Sequence, residues 1–415
     1  MVRVGDRARR LGRLALLAAV SAFACPPRQQ VQQPDRSVQQ PDWPMFRNDV
    51  ERSGFAEGST VGTQVDRVWR IPSFNTTRYG APKGSPSVVG GLLYCGTDTG
   101  LFVAARVEDG TIVWQTRFER TSHGIHGSPA VVGDLVYIGA YDGTVNAFER
   151  QTGQLAWRRG IGYQVGSSPA VVEEWGTVFS SHEEVDGSGD VVALDSLTGD
   201  LKWRRRTRAH PHSSVAVDVG RARVFVGDNA GTAYAFDART GAEVWTRELD
   251  RGGDDVEIKT TPTVIPELGL VVFGAWSGKV TALDEATGGV RWEQPVGGKL
   301  TGSNAYLPAT RTLFVGSLAG DMAALDARDG RVLWRRGGGA RILSSPAVSG
   351  DGRAVVFGAS DGRVYALATR DGRLIWSAPL DGEVSGSPTL VGSRIYITSR
   401  NGSLWALETR DERRR

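Results

Sequence analysis

Cysteine is nearly missing from this chain: two thiols, Cys25 and Cys95, among 415 residues. A disulfide framework or a four-thiolate zinc site is excluded by that count, so the fold must be held by its apolar core. Cys95 sits in an apolar strand and reads as a buried structural thiol. Methionine (3) and histidine (5) are scarce as well. No zinc-type Cys/His spacing, H-E-x-x-H or glycine-rich phosphate loop is present. Excess charge of one sign is also lacking, with 49 Lys and Arg against 46 Asp and Glu, a net charge of +3. Such a balance selects no polyanionic partner, and nucleic acid is not expected. The densest basic stretch, "WRRRTR" (203–208), has no interleaved aromatics and reads as a solvated rim. No window carries a 3.6-residue apolar stripe, which excludes a helical fold.

Glycine (54) and tryptophan (12) are plentiful, and their placement is periodic. Ten positions before Trp114, Trp157, Trp203, Trp245, Trp292, Trp334 and Trp376 stand Ala104, Ala147, Ala193, Ala235, Ala282, Ala324 and Ala366. Four positions before the same tryptophans stand Gly110, Gly153, Gly199, Gly241, Gly288, Gly330 and Gly372. Trp69 leads the series, and the spacings run from 42 to 47 residues. That period belongs to propellers and solenoids. Within each period the text divides into four short β-rich runs, as in "SPAVV", "LVYIGA", "TVNAFE" and "QLAWR", punctuated by Gly, Asp and Asn. Each unit therefore reads as a four-stranded antiparallel sheet. The glycine supplies positive φ in the turn between the third and fourth strands. The alanine leaves room for an indole between neighbouring blades, and the eight tryptophans are the docking residues.

Seven units run from about Ser85 to Trp376. The text then supplies three more strands (387–410) with an alanine slot at Ala406, but stops before the fourth strand and its docking tryptophan. The missing strand is "TQVDRVWR" (63–70), with Trp69. The expectation is an all-β, eight-bladed β-propeller over 63–410, monomeric, closed by N- and C-terminal strands sharing one blade. Residues 43–62 form a lead-in segment and 411–415 a basic tail. "GASDG" (358–362) matches G-x-S-x-G, but its siblings "GAYDG" and "GAWSG" mark Ser360 as a hairpin residue.

Residues 1–24 carry five arginines followed by an apolar run from Leu14 to Ala24, the pattern of a secretory signal peptide. "AFAC" (22–25) resembles a bacterial lipobox, which makes Cys25 the expected lipidation site. Residues 25–42 are Pro/Gln-rich and read as a disordered tether. The expected place is the bacterial cell envelope, with the membrane reached by the lipid anchor only. Pro26, where some bacteria place an inner-membrane retention Asp, favours the outer membrane, facing the periplasm.

All five histidines, His123, His126, His182, His210 and His212, fall in loops of one rim within blades 2–4. With Glu183, Glu184 and Asp186 nearby, and Asp254, Asp255 and Glu257 in the loop entering blade 5, they are candidate metal ligands or a pH-sensitive contact patch. Five unrelated surface imidazoles are the alternative.

The unit A-x-[DE]-x-x-[TD]-G-x-x-x-W, as in "ALDSLTGDLKW" and "AFDARTGAEVW", resembles the tryptophan-docking repeat of pyrroloquinoline-quinone-like (PQQ-like) propellers over 63–410. "DWPMFRNDVERSG" (42–54) resembles the lead-in of such proteins. The dehydrogenase branch implies a quinone, a calcium ion, a catalytic aspartate and two adjacent cysteines. Adjacent cysteines and that branch's large insertions are absent here. Length and lipobox-like signal resemble the BamB-like branch of outer-membrane assembly lipoproteins. That resemblance implies a non-enzymatic scaffold without cofactor, binding envelope protein partners through its loop rims. A metal-binding or quinone-dependent propeller using the histidine rim is the alternative.

Overall fold

The computed structural model describes residues 42–74, 84–118, 124–249 and 255–412. The signal peptide, Cys25, His123 and Asp254 lie outside them. Asp42, placed at the end of the tether, is already tied to the fold, its carboxylate accepting from the Gly90 N–H at 3.0 Å. Among the described residues no helix is long and apolar enough to cross a membrane.

Eight four-stranded antiparallel blades form the propeller, and in blade 7 the lead-in pair Phe55–Ala56 adds a short parallel fifth strand beside Ala347–Ser349. In blade 1 the strands are Ser87–Val89, Leu92–Gly96, Leu101–Arg106 and Ile112–Arg117. First strands of neighbouring blades touch around the axis, and fourth strands form the outer wall. Blade 8 is built from Thr389–Val391, Arg394–Ser399 and Ser403–Arg410, completed by Gln64–Ile71 from the start of the propeller, with Trp69 opposite Ala406. Ring closure therefore joins the two ends of the chain, and no blade is left a strand short.

The repeated alanine and tryptophan are direct cross-strand partners, as in Ala104 with Trp114 and Ala282 with Trp292. A bulge follows each pair, which turns the outer strand and aims the indole toward the next blade. There the indole N–H donates to a backbone carbonyl: Trp114 to Arg150, Trp157 to Ser196, Trp245 to Glu285 and Trp376 to Gly62, at 2.8–3.0 Å. The repeated glycine has a second task beyond its turn. Gly288 has φ +68, and a Cβ there would stand 2.7 Å from Cδ2 of Trp245, the indole of the preceding blade. Glycine is thus required both by the left-handed turn and by the indole lying flat on it.

Near the axis a second repeated contact closes the ring. Each blade places one hydroxyl two residues before its first strand: Ser85, Ser128, Ser168, Ser214, Thr261, Ser303, Ser345 and Ser387. The backbone N–H of each residue donates to the hydroxyl of the next blade's residue, from Ser85 to Ser128 and so on to Ser387, which donates to Ser85, at 2.8–3.2 Å. The result is a belt of eight hydrogen bonds without a break.

Below this belt the lead-in segment fills the channel. Backbone N–H groups of Val88, Val131, Val217, Val264, Tyr306 and Val348, each on a first strand, donate to the carbonyls of Trp43, Pro44, Val50, Glu51, Ser53 and Gly54. Arg52, fully buried, donates to the carbonyls of Phe46, Val215 and Pro169 at 2.7–3.0 Å. Arg47, also buried, reaches the carbonyls of Asn304 and Pro346. Burial lowers the two guanidinium groups to about 9 (Arg47) and about 10 (Arg52), so both stay charged at neutral pH. Carbonyls from four different blades thus surround two cations that water does not reach.

Candidate functional site

The lead-in segment makes the central channel blind. Its Phe46 lines the inner end of a cavity of about 490 Å³, the hydroxyl belt forms the wall, and a second ring two residues upstream forms the mouth. That second ring includes His126, Gly166, His212, Lys259, Thr301, Leu343 and Ser385. The repeat fixes these positions but not their identities, so chemistry varies around the mouth while the backbone does not.

The four described histidines do not converge on one point. His126 has Nε2 3.6 Å from Asp98 and its ring 4.1 Å from that of Tyr141. His212 bonds Glu183 at 3.1 Å, and His210 lies 3.7 Å from the other oxygen of the same carboxylate. The hydrogen bond to Glu183 raises the His212 pKa above its ordinary value, against the effect of burial. His182 is buried and turned to a different pair, Glu184 at 3.1 Å and Asp190 at 3.3 Å. Strand alternation explains the division: Glu183 and its neighbours 182 and 184 point to opposite faces of one hairpin.

Of the acidic candidates, Asp186 is held by Arg206, Asp255 by Lys299 and Glu257 by Lys259. None of these three stands in the group formed by His182, Glu184 and Asp190. Asp190 was not singled out in the sequence. The signal for it exists only in the register, which sets it directly opposite His182. The basic stretch is engaged with its surroundings as well. Arg204 faces Asp190 and the Ile161 carbonyl, Arg205 the carbonyls of Thr240 and Gly241, Arg206 Asp186, and Arg208 Glu248.

The adjacent cysteine pair of the dehydrogenase branch has no counterpart in this chain. Cys95, buried in blade 1 with its thiol pushed up to about 12 by desolvation, is not among the residues lining the cavity, and the chain has no adjacent cysteine to pair with it.

The model of the family described as outer membrane protein assembly factor BamB matches residues 58–217, 141–317, 301–371 and 318–415. BamB of Bordetella pertussis (strain Tohama I) is 34% identical over 110 residues, 26% of this chain and 27% of that protein. The matched stretch therefore spans about a quarter of the curated relative. Among solved structures, BamB from Moraxella catarrhalis superposes with a TM-score of 0.68 at 21% identity, covering 83% of this chain and all of that one (100%). A europium-containing methanol dehydrogenase reaches 0.75 at 15% identity over 89% of this chain and 98% of its own. A quinohemoprotein alcohol dehydrogenase from Comamonas testosteroni reaches 0.72 at 14% identity over 90% of this chain and 81% of its own. At these identities the structural likenesses show the fold alone. The family model, overlapping itself from residue 58 to 415 as a repeat should, shows more: this chain belongs to the BamB family of outer-membrane-assembly β-propellers.

Proposed function

We propose that the chain is a non-enzymatic scaffold of the bacterial envelope, anchored through a lipid on Cys25 and facing the periplasm from the outer membrane. It binds protein partners that take part in outer-membrane protein assembly. Family membership carries this reading, and the blind channel supports it. A ring stiffened by indole docking, a hydroxyl belt and a buried lead-in holds its rim loops in fixed relation, which suits a binding platform. On the mouth rim of blades 2 and 3, Tyr163 and Val185 expose 53% and 79% of their surface beside charged loops, the arrangement of an apolar anchor within a polar surround.

A photo-crosslinking residue placed at Tyr163 or Val185 in intact cells is expected to capture outer-membrane assembly proteins. One placed at Leu197, 76% exposed in the turn joining the third and fourth strands of blade 3, serves as the opposite-rim control. Capture from Leu197 alone would reverse the rim assignment, and capture from none of the three would remove the scaffold reading. Cys25→Ala should shift the protein from membrane to soluble fraction, and retention in the membrane would refute the lipid anchor.

A further inference from the structure

We propose that His182, Glu184 and Asp190 bind a divalent first-row transition-metal ion on the mouth-side hairpin of blade 3. The site follows from the sheet itself. His182 is the penultimate residue of the second strand, Asp190 is its antiparallel register partner on the third, and Glu184 lies two residues beyond His182. A period of two puts 182 and 184 on one face, and pairing puts 190 on the same face.

One potential ligand atom from each residue lies within 4.8 Å of the other two, and Nε2 of His182 stands 3.1 Å from Oε1 of Glu184 and 3.3 Å from Oδ2 of Asp190. The two edges at His182, 3.1 and 3.3 Å, match the ligand-to-ligand edges of about 3.0–3.4 Å expected around an ion with bonds of ~2.0–2.1 Å. Protein hydrogen bonding alone serves this group poorly. Nε2 carries at most one proton, yet two carboxylates face it. The His182 and Asp190 side chains are 0% and 5% exposed, so water offers little relief. A dication satisfies both carboxylates and the imidazole lone pair together.

The imidazole is also fixed in place. A Cβ on Gly162, in the segment between blades 2 and 3, would stand 1.9 Å from Cδ2 of His182 and 2.5 Å from its Nε2. Gly162 has an ordinary backbone conformation, so contact with this ring is what excludes a side chain there. Glu184, 26% exposed, leaves the solvent side open for ion entry and for water as remaining ligand. One imidazole with two carboxylates favours zinc, cobalt or manganese over calcium, which takes oxygen ligands alone. Arg204, with Nη1 3.5 Å from Oδ2 of Asp190, is the competing cation.

The test uses purified, chelator-stripped protein. Titration with cobalt(II) chloride should produce visible d–d absorption that saturates at one ion per chain, and zinc chloride should displace it and raise Tm. Glu184→Gln, at a part-exposed position that spares the fold, and Asp190→Asn should each weaken binding at least tenfold and abolish the zinc-dependent Tm shift. Arg204→Gln should tighten binding. His210→Gln and His126→Gln should leave it unchanged. Absence of a cobalt spectrum, retained affinity in Glu184→Gln, or equal loss in His210→Gln would each overturn the site.

Discussion

The pairing of Gly288 with Trp245 admits a quantitative test, because the two belong to successive blades. Trp245 is 8% exposed and its N–H donates to Glu285 at 2.9 Å. Burying an indole removes ~150–250 Å² from water, worth ~4–6 kcal/mol at ~25 cal/mol per Å² as an upper bound. Partial collapse of the space left behind brings the expected cost of Trp245→Ala to about 3–5 kcal/mol. Gly288→Ala meets two penalties. Placing alanine at φ +68 costs ~1–2 kcal/mol, and a Cβ 2.7 Å from the indole adds overpacking of ~1–3 kcal/mol. Without the indole only the first penalty remains. The double variant should therefore be less damaged than the sum of the singles by ~1–3 kcal/mol. Urea unfolding followed by circular dichroism and fluorescence measures each corner of the cycle, provided the two probes give coincident transitions. The same cycle run on Gly288 with Trp292, the tryptophan of its own blade, should show little coupling. Additivity with Trp245 and strong coupling with Trp292 would refute the docking argument.

The hydroxyl belt predicts that Ser303→Ala, which leaves the buried Thr261 N–H without its acceptor, costs ~1–3 kcal/mol, while Ser303→Thr is tolerated because threonine already fills this slot at 261. Equal loss in both variants would refute the belt's role. Stability should also fall as pH rises from about 5 to 8. Glu51, part-buried beside Asp49, has its carboxyl pushed up to about 7 from 4.5 by desolvation, and His212 is raised above 6.5 by Glu183. In each case the folded state holds more protons than the unfolded one across the window. The slope of unfolding free energy with pH is therefore negative, and the stabilisation present below the unfolded pKa is lost as pH passes the folded one. Glu51→Gln should flatten the decline measured by urea titration at several pH values, and an unchanged slope would count against the assignment.

The repeat was legible because each blade writes its own geometry locally. Strand punctuation, the glycine turn and the tryptophan slot recur within every 42–47 residues, and the unmatched Trp69 at one end answered Ala406 at the other. The sequence thereby settled four strands per blade, blade number and closure without any knowledge of distances, but not the short parallel strand that Phe55–Ala56 adds to blade 7. Side-chain convergence was beyond it. Five histidines on one rim looked like one cluster, but alternation along a strand turns His182 away from Glu183, and only register brings Asp190 to it. Nor does "DWPMFRNDVERSG" announce that Arg47 will reach Pro346, 299 residues away, or that its carbonyls will meet six first strands at the axis. Period and propensity are properties of neighbours along the chain, and these the sequence determined. Which groups meet at the centre of a ring depends on curvature summed over eight blades, and only the closed tertiary structure decided it.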